Sequence, residues 1–179
     1  KHYIQSKDLP TLSTFYFGVD WGYEHWGSIV VIGETADGTA YLIEEHAKQH
    51  EEIDYWVDIA KGIQERYGSR VPFYCDSARP EHVDRFKREH IEAFNGAKAR
   101  LTGVEADARR FKKDKLFICR DKVEKFPNEI YQYVGDDKKG EAIKLFDAVL
   151  DSLRYAIYTN KVRNGKTAEI VSKVQFGLY

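Results

Sequence analysis

The chain has 179 residues, enough for one domain whose core needs no staples. Charged residues make up 32 % and apolar ones 42 %, which excludes a disordered chain; a net charge of −1 excludes a polyanion-binding field spread over the whole surface. Two cysteines, Cys75 and Cys119, form no C-x-x-C pair. That excludes a zinc module and points to a reducing compartment, with both thiols buried in strands. No apolar run approaches the ~18 residues of a membrane span, and no signal peptide is visible.

Residues 1–13, beginning KHYIQSKDLP, read as an arm or linker from within a longer chain. Strand signals follow at 15–19, 28–33 and 39–45, the last two joined by ETADGT, where Asp37-Gly38 is a hairpin turn. Ile53, Trp56, Val57, Ala60 and Ile63 repeat at helical spacing within 51–67, and Gly68 sits where a C-cap belongs. VPFYCD (71–76) is a fourth strand, and Pro80 opens a short helix to about Glu89. A fifth strand is expected at 91–96, a helix at 102–113 and a short strand at 116–120. Helix returns at 123–133, entered at Pro127, followed by a polar loop at 135–141 and a strong helix over 147–160. The tail has no clear period, and AEIVSKVQF fits a short strand. The reading is one α/β domain over 14–161, a tail over 162–179, and a mixed sheet with helices on both faces: three antiparallel strands, then β/α units.

Two strands end on a carboxylate, at Asp20 and Asp76. In open α/β sheets ligands sit at the carboxyl ends of strands. Turn chemistry is the plain explanation for each aspartate alone. If the two strands are parallel neighbours, the carboxylates face each other. At about 4 Å they repel by about 4 kcal/mol at an effective dielectric near 20. A hard divalent cation relieves this, since such ions take oxygen ligands. In KLFDAVLDSLRYAIYTN, Asp147, Asp151, Arg154 and Tyr158 share one helical face opposite Val149, Leu150, Leu153, Ala156 and Ile157. A solvated face, or acids suited to the helix dipole, is the competing explanation. Taken together, the acids at two strand ends and one helix start can hold two divalent ions about 3.5–4 Å apart for phosphoryl chemistry.

These segments resemble the ribonuclease H-like nucleases, and more narrowly the C-terminal nuclease domain of tailed-bacteriophage terminase large subunits. The resemblance rests on GVDWGYEHWGSIVVIG, YCDSARPEHVDRFK, FNGAKARLTGV, LFICRDKVEKFPNEIYQY and DAVLDSLRYAIY, in that order over about 15–160. The last looks like the family's Asp-x-x-x-Asp-x-x-Arg-Tyr helix. The resemblance implies a ribonuclease H-like sheet and a two-metal endodeoxyribonuclease cutting concatemeric viral DNA during packaging in the cytoplasm of the infected bacterium. It implies Asp20, Asp76 and Asp147 as catalytic ligands and two Mg²⁺ or Mn²⁺ ions; Asp151, on the same helical face as Asp147, is a further candidate metal ligand. Implied partners are double-stranded DNA, an ATPase motor domain upstream in the same chain, the portal and the small terminase subunit, with no membrane. Two positions depart from the pattern: Ala148 stands where the family often carries His, and no Trp follows the Tyr of the preceding segment.

Cutting DNA needs phosphate contacts. The best local source is 98–115, where Lys98, Arg100, Arg109, Arg110, Lys112, Lys113 and Lys115 face Glu105, Asp107 and Asp114, a net +4; Lys144 is a further candidate. A solvated face is the alternative for such a run. His25, His82 and Trp21 lie near the acidic rim and read as packing or surface residues, and Glu129 reads as structural. A sugar-kinase-like phosphate turn is excluded by length and by the missing second phosphate loop. Two alternatives stand: a RuvC-type Holliday-junction resolvase, and a non-catalytic docking domain whose acids only cap turns.

Overall fold

The aromatic and β-branched run ending in Asp20 forms an interior strand of a twisted mixed sheet. The computed structural model describes residues 2–97, 113, 115–139 and 148–175, apart from the side chains of 133–139 and 166–175. The described strands are β1 (Tyr3–Ile4), β2 (Thr14–Asp20), β3 (Gly27–Glu34), β4 (Ala40–Lys48), β5 (Phe73–Cys75), β6 (Ala93–Asn95) and β7 (Leu116–Cys119). They form one seven-stranded sheet in the order β1-β7-β4-β3-β2-β5-β6. β2, β3 and β4 are an antiparallel meander, whereas β5 runs parallel to β2, β6 to β5, and β7 to β4. The β3–β4 turn carries Gly38 at φ +82°, a backbone that favours glycine, and Asp37 accepts hydrogen bonds from the Thr35 hydroxyl and the Thr39 amide.

Side-chain alternation sends each strand's residues to two different cores. Phe17, Val19, Ile29 and Val31 pack with α1 (Ile53–Tyr67) and α2 (Pro80–Arg88) through Trp56, Ala60, Ile63 and Phe86. Tyr16, Val30, Ile32, Leu42 and Tyr74 pack instead with Phe126 of α3 (Phe126–Lys139) and with Val149, Leu153, Ala156 and Ile157 of α4 (Ala148–Gln175). β3 is buried along its whole length, as expected for a strand covered on both faces. Both cysteines are free and buried, one in β5 and one in β7. Burial raises both thiols, Cys119 to about 11.

Three expectations change. The amino-terminal arm contributes β1, which pairs with β7 through Tyr3↔Ile118 and Ile4↔Cys119. An otherwise open strand edge offers backbone partners that a linker can satisfy. Asp121 also accepts hydrogen bonds from the Ser6 amide and hydroxyl. The polar stretch at 135–139 belongs to α3 rather than to a loop. The tail expected to hold a strand continues α4 to Gln175; it has no proline to stop the helix. The helix expected at 102–113 lies almost wholly outside the described residues.

Candidate active site

β2 and β5 are adjacent and parallel, in the register Val19↔Cys75, so their next residues, Asp20 and Asp76, end neighbouring strands at one rim. Alternation decides where they point. Tyr16 and Tyr74 belong to the α4-side core, so Asp20 and Asp76, an even number of residues further on, face α4 as well. The pair is held by the backbone: the Asp76 amide donates to Val19 O at 2.9 Å. Trp21 Nε1 donates to Asp76 O at 2.9 Å, and the Ala78 amide to Asp76 Oδ1 at 3.0 Å. Trp21 is 9 % exposed and stacks edge-on against His82 and Phe86, at 5.1 and 5.0 Å between ring centroids. Trp21 and His82 are therefore packing residues, as expected, and His25 is exposed.

α4 reaches this rim because the sheet lets it come close. A Cβ on Gly18 would lie 1.9 Å from Ser152 O and 3.0 Å from Ala156 Cβ, so only glycine admits the helix at this depth. Ser28, cross-strand from Asp20, donates to Ala148 O at 2.7 Å; its hydroxyl also meets that of Ser152, which lies 3.2 Å from Ser28 O. These bonds fix the first turn of α4 beside Asp20. Glu129, 4 % exposed, accepts the Leu150 amide at 3.0 Å and so caps the same turn. The structural reading of Glu129 fits this contact.

Asp151 stands in that first turn. Arg154 Nη2 is 2.8 Å from Asp151 Oδ1, and Arg154 is only 8 % exposed. One turn beyond Asp151, Tyr155 enters the cluster. Burial first, then the charges of Asp76, Asp20 and Asp151, push its phenol up to about 12. The three aspartates thus converge electrostatically on one half-buried tyrosine. Tyr155 is the Tyr of the Asp-x-x-x-Asp-x-x-Arg-Tyr pattern, yet the sequence alone gives it no role, although its i+4 spacing from Asp151 places it beside that acid. Tyr158, the residue expected on that face, is partly buried one turn further on.

Asp147, the third expected ligand, lies outside the described residues, one position before α4. So do Lys98, Arg100, Arg109, Arg110, Lys112 and Lys144. Lys113 is exposed. Lys115 pairs with Asp37 at 3.2 Å in the β3–β4 turn, at the end of the sheet opposite Asp20. Among the described residues no group of three or more His, Cys, Asp or Glu side chains is gathered tightly enough to hold a metal ion. The pair Asp20 and Asp76 offers only oxygen donors, with Asp151 on the facing helix, and that chemistry fits a hard divalent cation.

Comparison with solved structures decides the fold. Over 89 % of its length the chain superposes on the nuclease domain of the bacteriophage SPP1 large terminase (g2p) with bound Mn, with a TM-score of 0.67, 16 % identity and 97 % of that domain covered. The chain has the fold of a large-terminase nuclease domain. The P22 large-terminase nuclease domain gives a TM-score of 0.68 at 13 % identity, over 89 % of this chain and 87 % of that one. The large terminase of a thermophilic bacteriophage gives 0.67 at 17 % identity, over 90 % of this chain. The chain spans 42 % of the length of that larger protein. By sequence it matches no protein-family model and no curated protein. The terminase-nuclease fold agrees with the expected ribonuclease H-like sheet: the acidic strand β2 flanked by a meander on one side and parallel strands on the other. Among the described residues no helix is long and apolar enough to cross a membrane.

Proposed function

We propose that the chain is a metal-dependent endodeoxyribonuclease domain that cuts concatemeric viral DNA during genome packaging. The observation carrying this reading is the pairing of Asp20 and Asp76 at adjacent parallel strand ends, both turned toward the acidic first turn of α4. The likeness to the SPP1 domain with bound Mn supports it.

In this reading Asp20, Asp76 and Asp147 hold two Mg²⁺ or Mn²⁺ ions, with Asp151 as a further ligand. When bound, the ions supply an activated water and stabilise the leaving 3′ oxygen of a phosphodiester. The chain's own residues keep the carboxylates in place. The β2–β5 ladder sets the spacing of Asp20 and Asp76, and Trp21 holds the Asp76 main chain from beside it. Ser28 and Ser152 hold α4, hence Asp151, against the rim. Arg154 balances one negative charge in a cluster that would otherwise repel itself. Lys98, Arg100, Arg109, Arg110, Lys112, Lys113 and Lys144 supply backbone phosphate contacts. The near-neutral net charge then suits a nuclease delivered to DNA by an ATPase motor domain upstream in the same chain, working with portal and small subunit in the host cytoplasm.

Cleavage of a supercoiled plasmid in Mn²⁺, Mg²⁺, Ca²⁺ or EDTA, beside Asp20→Asn, tests the reading. The expected result is cutting in Mn²⁺ or Mg²⁺ that is lost in EDTA and in the variant, while circular dichroism of the variant is unchanged. Undiminished cutting by Asp20→Asn removes the assignment. No heat of binding at millimolar Mn²⁺ would favour the docking-domain alternative.

A further inference from the structure

We propose that the phenol of Tyr155 binds the DNA strand being cut, its O–H donating a hydrogen bond to a phosphate oxygen held over Asp20 and Asp76. This rests on the nuclease reading above and adds a substrate-contacting residue to it.

The placement of the ring carries the argument. Tyr155 lies one helical turn after Asp151 on the face of α4 that meets the carboxylate rim. Its ring is wedged against the loop that leaves β6: a Cβ on Gly96 would be 3.1 Å from Tyr155 Cδ1 and 3.4 Å from its Cβ. The same loop is tied to α4 one turn on, where the Ala97 amide donates to Thr159 Oγ1 at 2.9 Å. The Arg154 guanidinium lies 5.0 Å from the ring centroid, while its charge is engaged by Asp151. The ring is therefore fixed on two sides and cannot swing out with the tip of a flexible side chain.

The phenol itself is not used by the fold. Tyr155 is half-buried, and no hydrogen bond of its hydroxyl is found among the described residues. Two tyrosine hydroxyls elsewhere on the sheet are employed structurally: Tyr16 donates to Glu34 Oε1 at 2.6 Å and Tyr67 to Glu44 Oε2 at 2.8 Å. A tyrosine carries its proton at neutral pH and donates it to the best nearby acceptor. Among three aspartates whose charge cations would neutralise, the acceptor that arrives with substrate is a non-bridging phosphate oxygen. A neutral donor suits this position, because it adds no charge to a site already balanced by metal and carboxylate.

Tyr155→Phe is the discriminating variant, because it keeps the ring and removes only the hydroxyl. The assays are plasmid cleavage in Mn²⁺ with kcat and KM separated, Mn²⁺ titration by calorimetry, and thermal melting, each beside wild type and Asp20→Asn. The expected result is a fall in kcat/KM of about 10- to 100-fold, the range for a lost hydrogen bond to a charged group. Mn²⁺ affinity should stay within about twofold and the melting temperature within about 2 °C. A ring that only packs predicts no change in kcat/KM, and that result overturns the proposal while leaving the nuclease reading intact. Loss of Mn²⁺ binding in Tyr155→Phe also overturns it, since the hydroxyl would then act on the metal site. Absence of cutting by the wild-type chain defeats the nuclease reading, and this proposal with it.

Discussion

Gly18→Ala tests whether the contact between β2 and α4 is what builds the rim. The added methyl would be centred 1.9 Å from Ser152 O and 2.7 Å from its carbonyl carbon, both backbone atoms that no rotamer change can move aside. To restore ordinary van der Waals separation the helix must retreat by about 1.5 Å. Overpacking of this kind costs about 1–3 kcal/mol. The retreat also stretches the hydrogen bonds between Ser28, Ala148 and Ser152, worth about 1 kcal/mol each. The total is about 4–6 kcal/mol, which in a domain of this size lowers the melting temperature by roughly 15 °C. Urea denaturation read by tryptophan fluorescence gives the free energy, and plasmid cleavage in Mn²⁺ should fall with it as Asp151 withdraws from Asp20. Gly165→Ala on the same helix is the control: nothing lies within 4 Å of its Cβ, so the change should be neutral or stabilise by up to about 1 kcal/mol. A loss below about 1 kcal/mol in Gly18→Ala would refute the reasoning.

Glu129→Ala removes the side chain that caps α4, and urea unfolding should report a loss of about 1–2 kcal/mol. Glu44 on β4 gives a pH prediction. Burial raises its carboxyl, but hydrogen bonds from His46 and Tyr67 and the charges of His46 and Arg66 outweigh this and bring it from 4.5 down to about 2. A folded value below the unfolded one means stability that is fully present above about pH 4.5 and lost as pH falls toward about 2. Discounted for partial exposure, Glu44→Gln should cost about 1 kcal/mol near pH 7 and nothing near pH 2, measured as the difference between the two acid-melting curves. Tyr155→Phe and Asp20→Asn separate substrate contact from metal binding, as set out above.

The strands were legible because aromatic and β-branched runs such as 15–19 and 28–33 leave few alternatives, and because Asp37-Gly38 marks its own turn. Asp20 and Asp76 stood out as charges closing apolar runs. Their pairing depended on β2 and β5 being neighbours, which neither segment states locally. Tyr155 stood in the Arg-Tyr pair of the helix pattern, but its role was not legible there. On a helical wheel Tyr158 lies on the same face, and only the depth of α4 against Gly18 selects which tyrosine meets the rim. Gly18 itself read as one residue of a good strand, since the close approach it permits belongs to a helix more than a hundred residues away. β1 was illegible because two residues carry no periodicity, and their place is set by an open edge on β7.

The hydrogen bonds between Ser28 and the start of α4 join segments separated by 120 residues or more. During synthesis, β2 through β6 leave the ribosome long before residue 148 does. Until then Asp20 and Asp76 end their strands without the helix that brings Asp151, Arg154 and Tyr155 to them. A nascent chain therefore lacks half of the proposed centre, and premature termination anywhere upstream of α4 leaves the same incomplete rim. If the domain cuts DNA as proposed, the late arrival of one helix is expected to leave unfinished copies inert.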